Sequence, residues 1–596
     1  MRGNIKHLVF CVCVAFVLFS AFASVASAKT IYVPDDYEKI QWAVDNTSAG
    51  DTIIVRDGIY YESIIVSKHI TIKSENGSEN CIVNGTGSNV FTLKADGIRI
   101  EGFTIKGGRY GVHLKDSNNN TIINNIIRSN NVGMHIWNSN NNIISDNIIC
   151  LNNWGIFLWV SNNNSMLNNN ISSNSDCGIE LSDSNNNSIS NNIICLNNEI
   201  GIFLWNSNNN IILGNIICSS RWDGIYLRDS NNNSISNNNI SSNDYGGICV
   251  KGNNNNILNN NISSNCWYGI ELSGSNNIIS DNIICSNKGD GIRLSGSNNT
   301  IRNNEFINDG LFVSCFSYDN IVEDNKVNGK PLFYLEEESD KIVHKAGQVI
   351  LVRCKNITVV NSELTNTDIG IELFESDECL ISKNNISNNL FGIYLEGNNN
   401  NISNNLISNN GLGIFLEGNN DSISNNNISL NNGCGIDLSG SNNIISDNII
   451  CSNNGLGVSL SGSNNTIRNN EFINDGLFVG YSYDNIVEDN EVNGKPLVYL
   501  ENESDRIIDD AGQVILVRCK NITVMNTEIK NTDVGIELFK SDECLISKNN
   551  ISSNYWYGIY IDYSNNNSIL NNNISSNKWE DLAYAIFLYS SKITAY

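Results

Sequence analysis

A short phrase recurs along the chain at a nearly fixed interval: Gly, a branched apolar residue, any residue and a second apolar residue. Its copies start 22 or 23 residues apart at first, and 21 or 22 apart after a longer segment. They begin at Gly111, Gly133, Gly155, Gly178, Gly201, Gly224, Gly247, Gly269 and Gly291, then at Gly370, Gly392, Gly413, Gly435 and Gly457. Disorder has no reason to keep such an interval, whereas a solenoid must, because each coil lies in register on the last.

Each unit contains three short strand patterns. In residues 224–246, Ile225 and Leu227 alternate with outward residues, as in a strand with one buried face. Ile235 and Ile240 follow at intervals too short for helices, between Asn, Ser and Gly bends. The 3 prolines of the chain agree, because strands paired on both sides need their N–H groups. We predict an all-β fold, a parallel β-helix solenoid of about two dozen coils.

The asparagine-rich stretches between strands, such as SNNNSISNNNISSN at 230–243, are predicted to be bends of the solenoid. Identical Asn residues one strand spacing apart, about 4.8 Å, can hydrogen-bond in a continuous column. Asparagine also tolerates the left-handed backbone of sharp bends. The alternative, an aggregation-prone tract of low complexity, does not explain the interval.

A larger duplication overlies the short repeat. The segment that starts DGLFV at Asp309 returns from Asp475, and AGQVILVRCKNITV at Ala346 returns from Ala511. The offset is 166 residues before a one-residue deletion and 165 after it. Copying about seven whole coils indicates selection for reach or surface, in a rod on the order of 110 Å long.

The first residues have the parts of a secretory signal peptide. Arg2 and Lys6 precede an apolar run at 8–22, and Ala26-Ser27-Ala28 follows, so the mature chain is expected to begin near Lys29. The run is short for the alternative, a membrane anchor, and no second apolar run of that length follows it.

Residues 34–46 (PDDYEKIQWAVDN) predict a short amphipathic helix with acids in its first turn and Ile40, Ala43 and Val44 on one face. A solenoid end exposes apolar core, so we expect this helix to be a cap; an independent functional element is the alternative. The predicted segments are the signal peptide at 1–28, cap and first coils at 29–100, regular coils at 101–309, a longer-coil segment at 310–369, regular coils at 370–475, its duplicate at 476–534 and C-terminal coils at 535–596.

The net charge of -26 argues against nucleic acid or anionic lipid as a partner, because no Lys/Arg cluster is present to release counterions. Of 17 cysteines, Cys11 and Cys13 belong to the signal peptide, and the others show no zinc-site spacing. Five close the phrase NIIC: Cys150, Cys195, Cys218, Cys285 and Cys451. Stacked positions hold side chains farther apart than the roughly 3.8 Å between Cβ atoms that a disulfide prefers. We therefore expect mostly free thiols packed in one repeated slot, although export permits disulfides.

The opening at 33–72, the GIxL coils with NNxIxxN bends, and the paired VNGKPL and AGQVILVRCKNITV segments resemble the NosD-like right-handed β-helix proteins. This group belongs to the pectin-lyase-like superfamily, carries carbohydrate-binding and sugar-hydrolysis repeats, and includes many archaeal cell-surface proteins. The resemblance covers residues 30–596 and implies a right-handed helix. It is specific for fold rather than activity, because the superfamily holds lyases, hydrolases, esterases and adhesins.

The resemblance also raises copper handling, since NosD is associated with copper maturation of nitrous oxide reductase in the periplasm. Soft-metal sites need clustered His, Met or Cys, and the few histidines here are scattered. His113 and His135 do share equivalent outward positions one coil apart, with Met134 beside the second. The alternative to a metal pair is ordinary surface histidines.

Two patterns bear on enzyme activity. The NTD triplets at 366–368 and 531–533 resemble part of a polygalacturonase-like aspartate cluster, but they lack its other motifs and continue into ordinary coils, which favours a bend role. Glu271 and Arg293 on adjacent coils could serve a lyase-like site, although a surface ion pair is the usual meaning of such a pair. No residue is predicted to be catalytic.

The outward face of the GIxL strands carries the best functional signal. Alternation turns the third and fifth residues of each phrase to solvent, which stacks aromatic rings coil upon coil. The predicted carbohydrate-binding residues are Trp137, Phe157, Trp159, Phe203, Trp205 and Tyr226. Exposed apolar strips of this size mark interaction sites, and flat rings beside acids suit sugar faces. The alternative is an aromatic ladder that only stabilises the sheet.

A second strip is acidic and could hold Ca²⁺, although solvated charge is the simpler interpretation. It comprises Glu372, Tyr394, Glu396, Phe415, Glu417 and Asp437. No other cofactor is expected. Sequons at Asn76, Asn84 and Asn356 permit glycosylation, but an Asn-rich chain contains many such matches by chance.

We therefore predict a secreted or cell-surface, non-catalytic protein that binds carbohydrate or a polysaccharide or glycoprotein of the cell envelope. No nucleic acid partner and no transmembrane segment after signal removal are expected. A polysaccharide lyase or hydrolase acting on acidic glycans is the main alternative, and a NosD-like copper-handling accessory protein is the second.

Overall fold

The computed structural model describes residues 28–314, 317–579, 582–583 and 585–595. Nearly all of the predicted signal peptide lies outside them. Strands dominate the described chain, with one helix at Ile40–Asn46. None of its helical structure has the length and apolar character needed to cross a bilayer.

Each coil contributes one strand to each of three sheets, named the front, second and third sheets in chain order. One coil has its front strand at Ile225–Arg228, its second-sheet strand at Ser234–Ser236 and its third-sheet strand at Asn239–Ser241. The next front strand, Gly246–Lys251, pairs with the first in parallel. The predicted parallel β-helix is confirmed.

The chain forms three stacks of coils. In the first stack, the second sheet has 14 strands, from Thr30–Val33 to Ile321–Glu323, and the third sheet runs from Gly58–Tyr61 to Lys326–Val327. The front sheet has 12 strands. They are Ile64–Val66, Phe91–Leu93, Tyr110–Lys115, Val132–Trp137, Trp154–Trp159, Ile179–Ser182, Ile202–Trp205, Ile225–Arg228, Gly246–Lys251, Tyr268–Leu272, Ile292–Leu294 and Leu311–Val313.

The second and third stacks repeat this plan. Their front sheets run from Lys330–Glu336 to Leu477–Val479 and from Lys495–Glu501 to Ile586–Tyr589. Their second sheets run from Ile342–His344 to Ile486–Glu488 and from Ile507–Ile508 to Lys592–Ala595. Their third sheets run from Glu363–Thr365 to Glu491–Val492 and from Glu528–Lys530 to Asn573–Ser575.

Branched apolar side chains fill the interior. In one coil Ile225, Leu227, Ile235 and Ile240 are all fully buried. The glycine that opens each GIxL phrase is needed because the coils approach closely there: a Cβ on Gly155 would lie 2.3 Å from the carbonyl oxygen of Gly178. The regular spacing of the GIxL phrase in the sequence thus follows from the packing of each coil on the next.

Inward asparagines form three columns, one at each bend of the coil. Asn120, Asn125 and Asn130 donate through Nδ2 to the Oδ1 atoms of Asn142, Asn147 and Asn152 in the next coil, over 2.9, 3.1 and 3.1 Å. The backbone N–H groups of the same three residues donate to the same acceptors. The predicted amide columns are confirmed. They satisfy polar groups that would otherwise be buried without partners.

The bend between the second and third sheets shows why the tracts are rich in Asn. Asn237 has φ 56°, in the left-handed region, and the adjacent Asn238 points inward to its column. Asparagine adopts left-handed backbone more readily than most residues, so one residue type serves both positions.

Each duplicated segment contains a junction between stacks. Val327 and Lys330 pair in an antiparallel hairpin, so the third sheet of the first stack continues into the front sheet of the second. Val492 and Lys495 repeat the hairpin between the second and third stacks. The predicted longer coils are therefore places where one stack ends and another begins.

Polar side chains cap the front-sheet edge left open at the first junction. Leu311 donates its N–H to Gln348 Oε1 over 2.9 Å and accepts from Gln348 Nε2 over 2.7 Å. Asp368 Oδ2 accepts the N–H groups of Gly291 and Gly310. Glu372 accepts from the N–H of the last strand's Val313 over 3.3 Å, so these side chains replace a further strand.

One expectation is corrected by this junction. Glu372, predicted to lie on a solvated acidic strip, is 1% exposed, because the front strand of the previous stack covers it. Asp368 does lie at a bend, as predicted, yet its carboxyl is buried and burial raises its pKa well above the ordinary value. Asp533 and Glu537 repeat the arrangement at the second junction.

The N-terminal helix fits the predicted cap but is shorter than expected. It spans Ile40–Asn46, buries Ile40, Ala43 and Val44, and has no acid in its first turn, so that detail of the prediction was wrong. The acid comes instead from Glu62, whose two carboxylate oxygens accept the N–H groups of Ile40 and Gln41 at 3.0 Å each.

The cysteine prediction holds only in part. Twelve cysteines of the described chain are free, but Cys195 and Cys218 on successive coils form a disulfide with 4.6 Å between their Cα atoms. Stacked cysteines can therefore be bridged in this sheet. The NIIC cysteines are also half-buried on the outer side of the third sheet rather than packed in an interior slot.

Candidate binding face

Outward residues of the front sheet form two columns along the first stack, because parallel pairing places equivalent residues above one another. The inner column contains His113, His135, Phe157, Glu180, Phe203 and Tyr226, and the outer column contains Lys115, Trp137, Trp159, Ser182, Trp205 and Arg228. All six residues predicted to bind carbohydrate thus lie on one surface, which we call the aromatic face.

Ring stacking orders much of the aromatic face. Trp137 and Trp159 stack with 6.1 Å between ring centroids, and Phe203 and Tyr226 stack at 5.4 Å. The ammonium of Lys115 lies 4.8 Å from the centre of the Trp137 ring. Such contacts hold the rings in fixed positions before any ligand arrives.

Two indoles remain open to solvent at the centre of the face. Trp159 and Trp205 are 44% and 48% exposed, whereas Ser182, which lies between them in the column, is 5% exposed. Two strand spacings, roughly 9.6 Å, separate the two tryptophans. The two exposed indoles therefore lie on either side of a coil whose outer-column residue is small and buried.

Glu180 occupies the same coil in the inner column, between Phe157 and Phe203. It borders a cleft of about 230 Å³ that Tyr110, His135 and Trp154 also line. Burial raises the pKa of the Glu180 carboxyl to about 6, so it can both donate and accept a proton near neutrality.

The two outward histidines form a stacked pair. The rings of His113 and His135 lie 4.9 Å apart and 5° from parallel, and each residue is 8% exposed. Burial lowers the pKa of both, that of His135 to about 4, which keeps the imidazoles neutral. They are therefore buried members of a ring stack, in which His135 also stacks on Phe157, rather than ordinary surface histidines.

Farther along the front sheet, buried acids and a tyrosine form a polar cluster. Tyr268 donates its hydroxyl to Asp223 Oδ1 over 2.9 Å, and burial raises the pKa of Asp223 to about 6. Arg293 forms its ion pair with Asp290, at 2.5 Å, and not with Glu271 as the sequence suggested. Glu271 lies opposite Arg293 in the strand register and so belongs to the same cluster.

Sequence reasoning missed a third aromatic ladder at the border of the front sheet. Trp222 and Trp267 are 51% and 55% exposed, and Tyr245 between them lies 5.8 and 5.4 Å from their ring centroids. These residues precede the GIxL strands, where no alternation marks them. Their spacing of 23 and 22 residues was the signal that could have identified them.

The second predicted strip is not one surface of solvated charge. Besides the buried Glu372, Tyr394 donates to Glu396 Oε1 over 2.5 Å and stacks on Phe415 at 4.9 Å. Of the carboxylates of this strip, those of Glu372 and Glu396 are therefore engaged by neighbouring groups.

Comparison with known proteins places the chain in a family. The family model described as "Right handed beta helix region" matches residues 200–347, 347–492 and 474–595. The chain belongs to this right-handed β-helix family. The model described as "Periplasmic copper-binding protein (NosD)" matches residues 44–221, which include the aromatic face as far as Trp205.

A curated relative of this β-helix protein is a cell surface glycoprotein of Methanothermus fervidus. The two are 40% identical over 114 residues, which is 18% of this chain and 19% of the relative. The match thus spans about a fifth of that protein.

Solved structures similar to the β-helix protein share little sequence with it. The A-module of a mannuronan C-5 epimerase from Azotobacter vinelandii is 16% identical, with a TM-score of 0.44 over 50% of this chain and 100% of that one. A DFA-IIIase from Arthrobacter chlorophenolicus without its lid is 12% identical, with a TM-score of 0.39 over 46% of this chain and 88% of that one. Likenesses of this size say nothing about the reaction or ligand of the β-helix protein.

The residues in the NosD-matched region do not fit a copper site. Met134 and Met166 are fully buried in the core, so they cannot share an ion with the outward histidines. Among the described residues, the one group of three acids, thiols or imidazoles with ligand atoms within 4.8 Å of one another is Asp176, Cys177 and Glu199. Its two carboxylates are hard ligands, unlike the set that copper prefers.

Proposed function

We propose that this β-helix protein is secreted or displayed at the cell surface and binds carbohydrate of the cell envelope with its aromatic face. The observation that carries the proposal is the pair of exposed indoles, Trp159 and Trp205, at 44% and 48% exposure on one rigid sheet. Large exposed rings that share one surface are typical of an interaction site.

The chemistry of the aromatic face suits a polysaccharide. Pyranose rings present C–H groups on their faces and hydroxyls at their edges, so flat indoles can contact the faces while polar side chains bind the hydroxyls. Glu180, in the inner column of the coil between the two tryptophans, supplies such a polar group. A face built on strands is also preorganised, which lowers the entropic cost of binding.

The relatives support a location outside the cytoplasm. The curated relative is named a cell surface glycoprotein, and the NosD family is described as periplasmic. The sequence adds a predicted signal peptide at 1–28. An envelope polysaccharide or glycoprotein is therefore the partner class that we infer.

A second candidate, a polysaccharide lyase or hydrolase, has one observation in its favour. Glu180 and Asp223 on the front sheet both have pKa values raised to about 6 by burial, and Tyr268 is hydrogen-bonded to Asp223. Groups that exchange protons near neutrality are what general acid and base catalysis needs.

The test is affinity electrophoresis through gels that contain one polysaccharide each, from neutral and acidic classes. We expect at least one polysaccharide to retard the wild-type chain. The double variant Trp159→Ala, Trp205→Ala should bind about 10-fold more weakly or worse, because buried aromatic contacts dominate binding energy. Trp42→Ala, which removes a 46% exposed indole from the cap helix, is the matched control and should bind like wild type.

The same polysaccharides are assayed for new reducing ends and for unsaturated products after incubation. Retardation without product supports a binding protein. Product formation that Glu180→Gln or Tyr268→Phe abolishes would replace our proposal by the enzyme. Equal retardation of wild type and the double variant would rule out the aromatic face.

A further inference from the structure

One outer edge of the solenoid carries a column of exposed asparagines. They lie at the bend that leads from the front sheet into the second sheet, each directly before an inward Asn, Asp or Ser of the buried column. In the first stack they include Asn119, Asn141, Asn163, Asn186, Asn209, Asn232 and Asn298, with φ between 57° and 58°. All of them are exposed.

The backbone of these bend asparagines is fixed while their side chains are free. Asn163 donates its N–H to the carbonyl oxygen of Asn185 over 3.1 Å, and Asn186 donates to Asn208 over 3.1 Å. Within the described chain, the side-chain amides of Asn119, Asn163 and Asn186 make no hydrogen bond. A rigid bend therefore presents an unengaged amide to solvent at each of these coils.

A subset of the column also carries a hydroxyl residue two positions on. The eight members are Asn119, Asn163, Asn186, Asn232, Asn298, Asn420, Asn464 and Asn566. In seven of them, the hydroxyl residue is the half-buried first residue of a second-sheet strand, as Ser165 is for Asn163. For Asn566 the hydroxyl residue, Ser568, lies within the strand Asn565–Leu570. Other members lack it: Ile143 follows Asn141, and Ile211 follows Asn209.

Other matches to the same sequence pattern differ in their contacts. Asn356 Nδ2 donates to Asp340 over 2.7 Å, and Asn521 Nδ2 donates to Asp505 over 2.7 Å. Asn46 Nδ2 donates to the carbonyl oxygen of Trp42 over 2.8 Å. The amides of Asn356, Asn521 and Asn46 thus already have partners, unlike the free amides of Asn119, Asn163 and Asn186 at the bends.

We propose that the eight bend asparagines are N-glycosylation sites. An Asn-x-Ser/Thr sequence on an exposed bend of an exported chain is the acceptor for this modification. The donor is a lipid-linked oligosaccharide phosphate supplied by the host. Asn Nδ2 bonds to the anomeric carbon, the bond from that carbon to the phosphate oxygen breaks, the lipid phosphate leaves with the electron pair, and the amide loses one proton.

This inference rests on the export that belongs to the proposed function, but not on carbohydrate binding by the aromatic face. Asn163 follows Trp159 by four residues, so the glycans line one border of the front sheet and leave its indoles open. Bulky polar groups along one edge also keep copies of the solenoid from associating side by side through that edge.

The experiment expresses the full chain in a host that N-glycosylates exported proteins, and maps exported material by peptide mass spectrometry. We expect glycan masses on peptides that contain the bend sequons, and unmodified Asn356 and Asn521. Ser165→Ala should lose the glycan at Asn163 while Asn163 itself is intact. Ile143→Thr, which completes a sequon at Asn141, should gain one.

The possible results distinguish the glycosylation proposal from the proposed function. Three results would overturn the glycosylation proposal: exported chain without glycan at the bend asparagines, glycan confined to Asn356 and Asn521, or no gain of glycan in Ile143→Thr. None of them bears on binding by the aromatic face. Chain that stays inside the cells would overturn the shared assumption of export. Polysaccharide retardation is also measured on exported chain in which Ser/Thr→Ala changes remove the bend sequons. This chain carries no glycan at the bends, so a failure to bind polysaccharide counts against the proposed function and not against the glycosylation proposal.

Discussion

At the residue scale, the amide columns determine which polar residues the interior accepts. An inward Asn offers Oδ1 to the coil before it and Nδ2 to the coil after it, so both polar atoms are satisfied. Asp421 replaces Asn in one column. Its Oδ1 accepts the N–H of Asn400 over 2.7 Å, but within the described chain its buried Oδ2 has no partner.

The Asp at position 421 of an amide column predicts that the stability of the fold depends on pH. Burial raises the pKa of the Asp421 carboxyl to about 7, because the charged form loses its contact with water. A raised pKa in the folded state means that stability is full below pH 4 and falls as pH rises through 7. Asp421→Asn should therefore stabilise the chain by about 1 to 3 kcal/mol at pH 8 and leave it unchanged at pH 4.

Thermal unfolding at both pH values measures this difference. Asn405→Asp is the reverse variant, since Asn405 Nδ2 donates to Ile381 O and to Asn426 Oδ1. It should lose stability at pH 8 more than at pH 4. A gain in Asp421→Asn that is equal at the two pH values would show that charge at this position is not the cause.

At the element scale, the regular coils were predictable and the junctions were not. The interval of the GIxL phrase, the alternation within it and the Asn bends are local signals, so strands such as Ile225–Arg228 followed from the sequence. Glu372 was wrongly predicted to be exposed. The strand that covers it, Leu311–Val313, is distant in sequence: Val313, which contacts Glu372, lies 59 residues before it. A local sequence pattern does not reveal that a polar side chain caps the edge of a sheet formed by a distant segment.

Site residues divide in the same way. The six predicted rings were placed on one face because strand alternation defines it. The ion pair of Arg293 with Asp290 and the disulfide between Cys195 and Cys218 depend on side-chain rotamers and on small shifts between coils, which no periodicity encodes.

The side-chain cap at the junctions can be tested with an internal control. At the second junction Gln513 accepts from Leu477 N over 3.0 Å and donates to Leu477 O over 2.7 Å. Gln513→Leu keeps similar bulk and removes both bonds, together with the bond from Gln513 Nε2 to Val534 O. We expect the amide of Leu477 to exchange its hydrogen about 10-fold faster or more, since an unmet buried group costs about 1 to 3 kcal/mol.

Leu311, held by Gln348 at the first junction, is unchanged in that variant and should keep its wild-type exchange rate. Hydrogen exchange with peptide resolution compares the two sites in one sample. Equal rates at Leu477 in variant and wild type would mean that another group holds the sheet edge.

At the scale of the whole molecule, duplication added length and did not copy the aromatic face. Both junction hairpins read Val-Asn-Gly-Lys-Pro-Leu, so the second stack was added as a unit. The exposed tryptophans of the aromatic face, Trp159 and Trp205, belong to the first stack alone. Under the proposed function, an acidic solenoid with one aromatic face in its first stack holds that face away from the rest of the envelope.

The most direct measurement of this account is hydroxyl-radical footprinting, with and without the polysaccharide that retards the chain. Oxidation of each tryptophan is read by peptide mass spectrometry. We predict that the ligand slows oxidation of Trp159 and Trp205 several-fold and leaves Trp42 on the cap helix, 46% exposed, unchanged. Unchanged oxidation of Trp159 and Trp205 under saturating ligand, or protection confined to other parts of the chain, would contradict it.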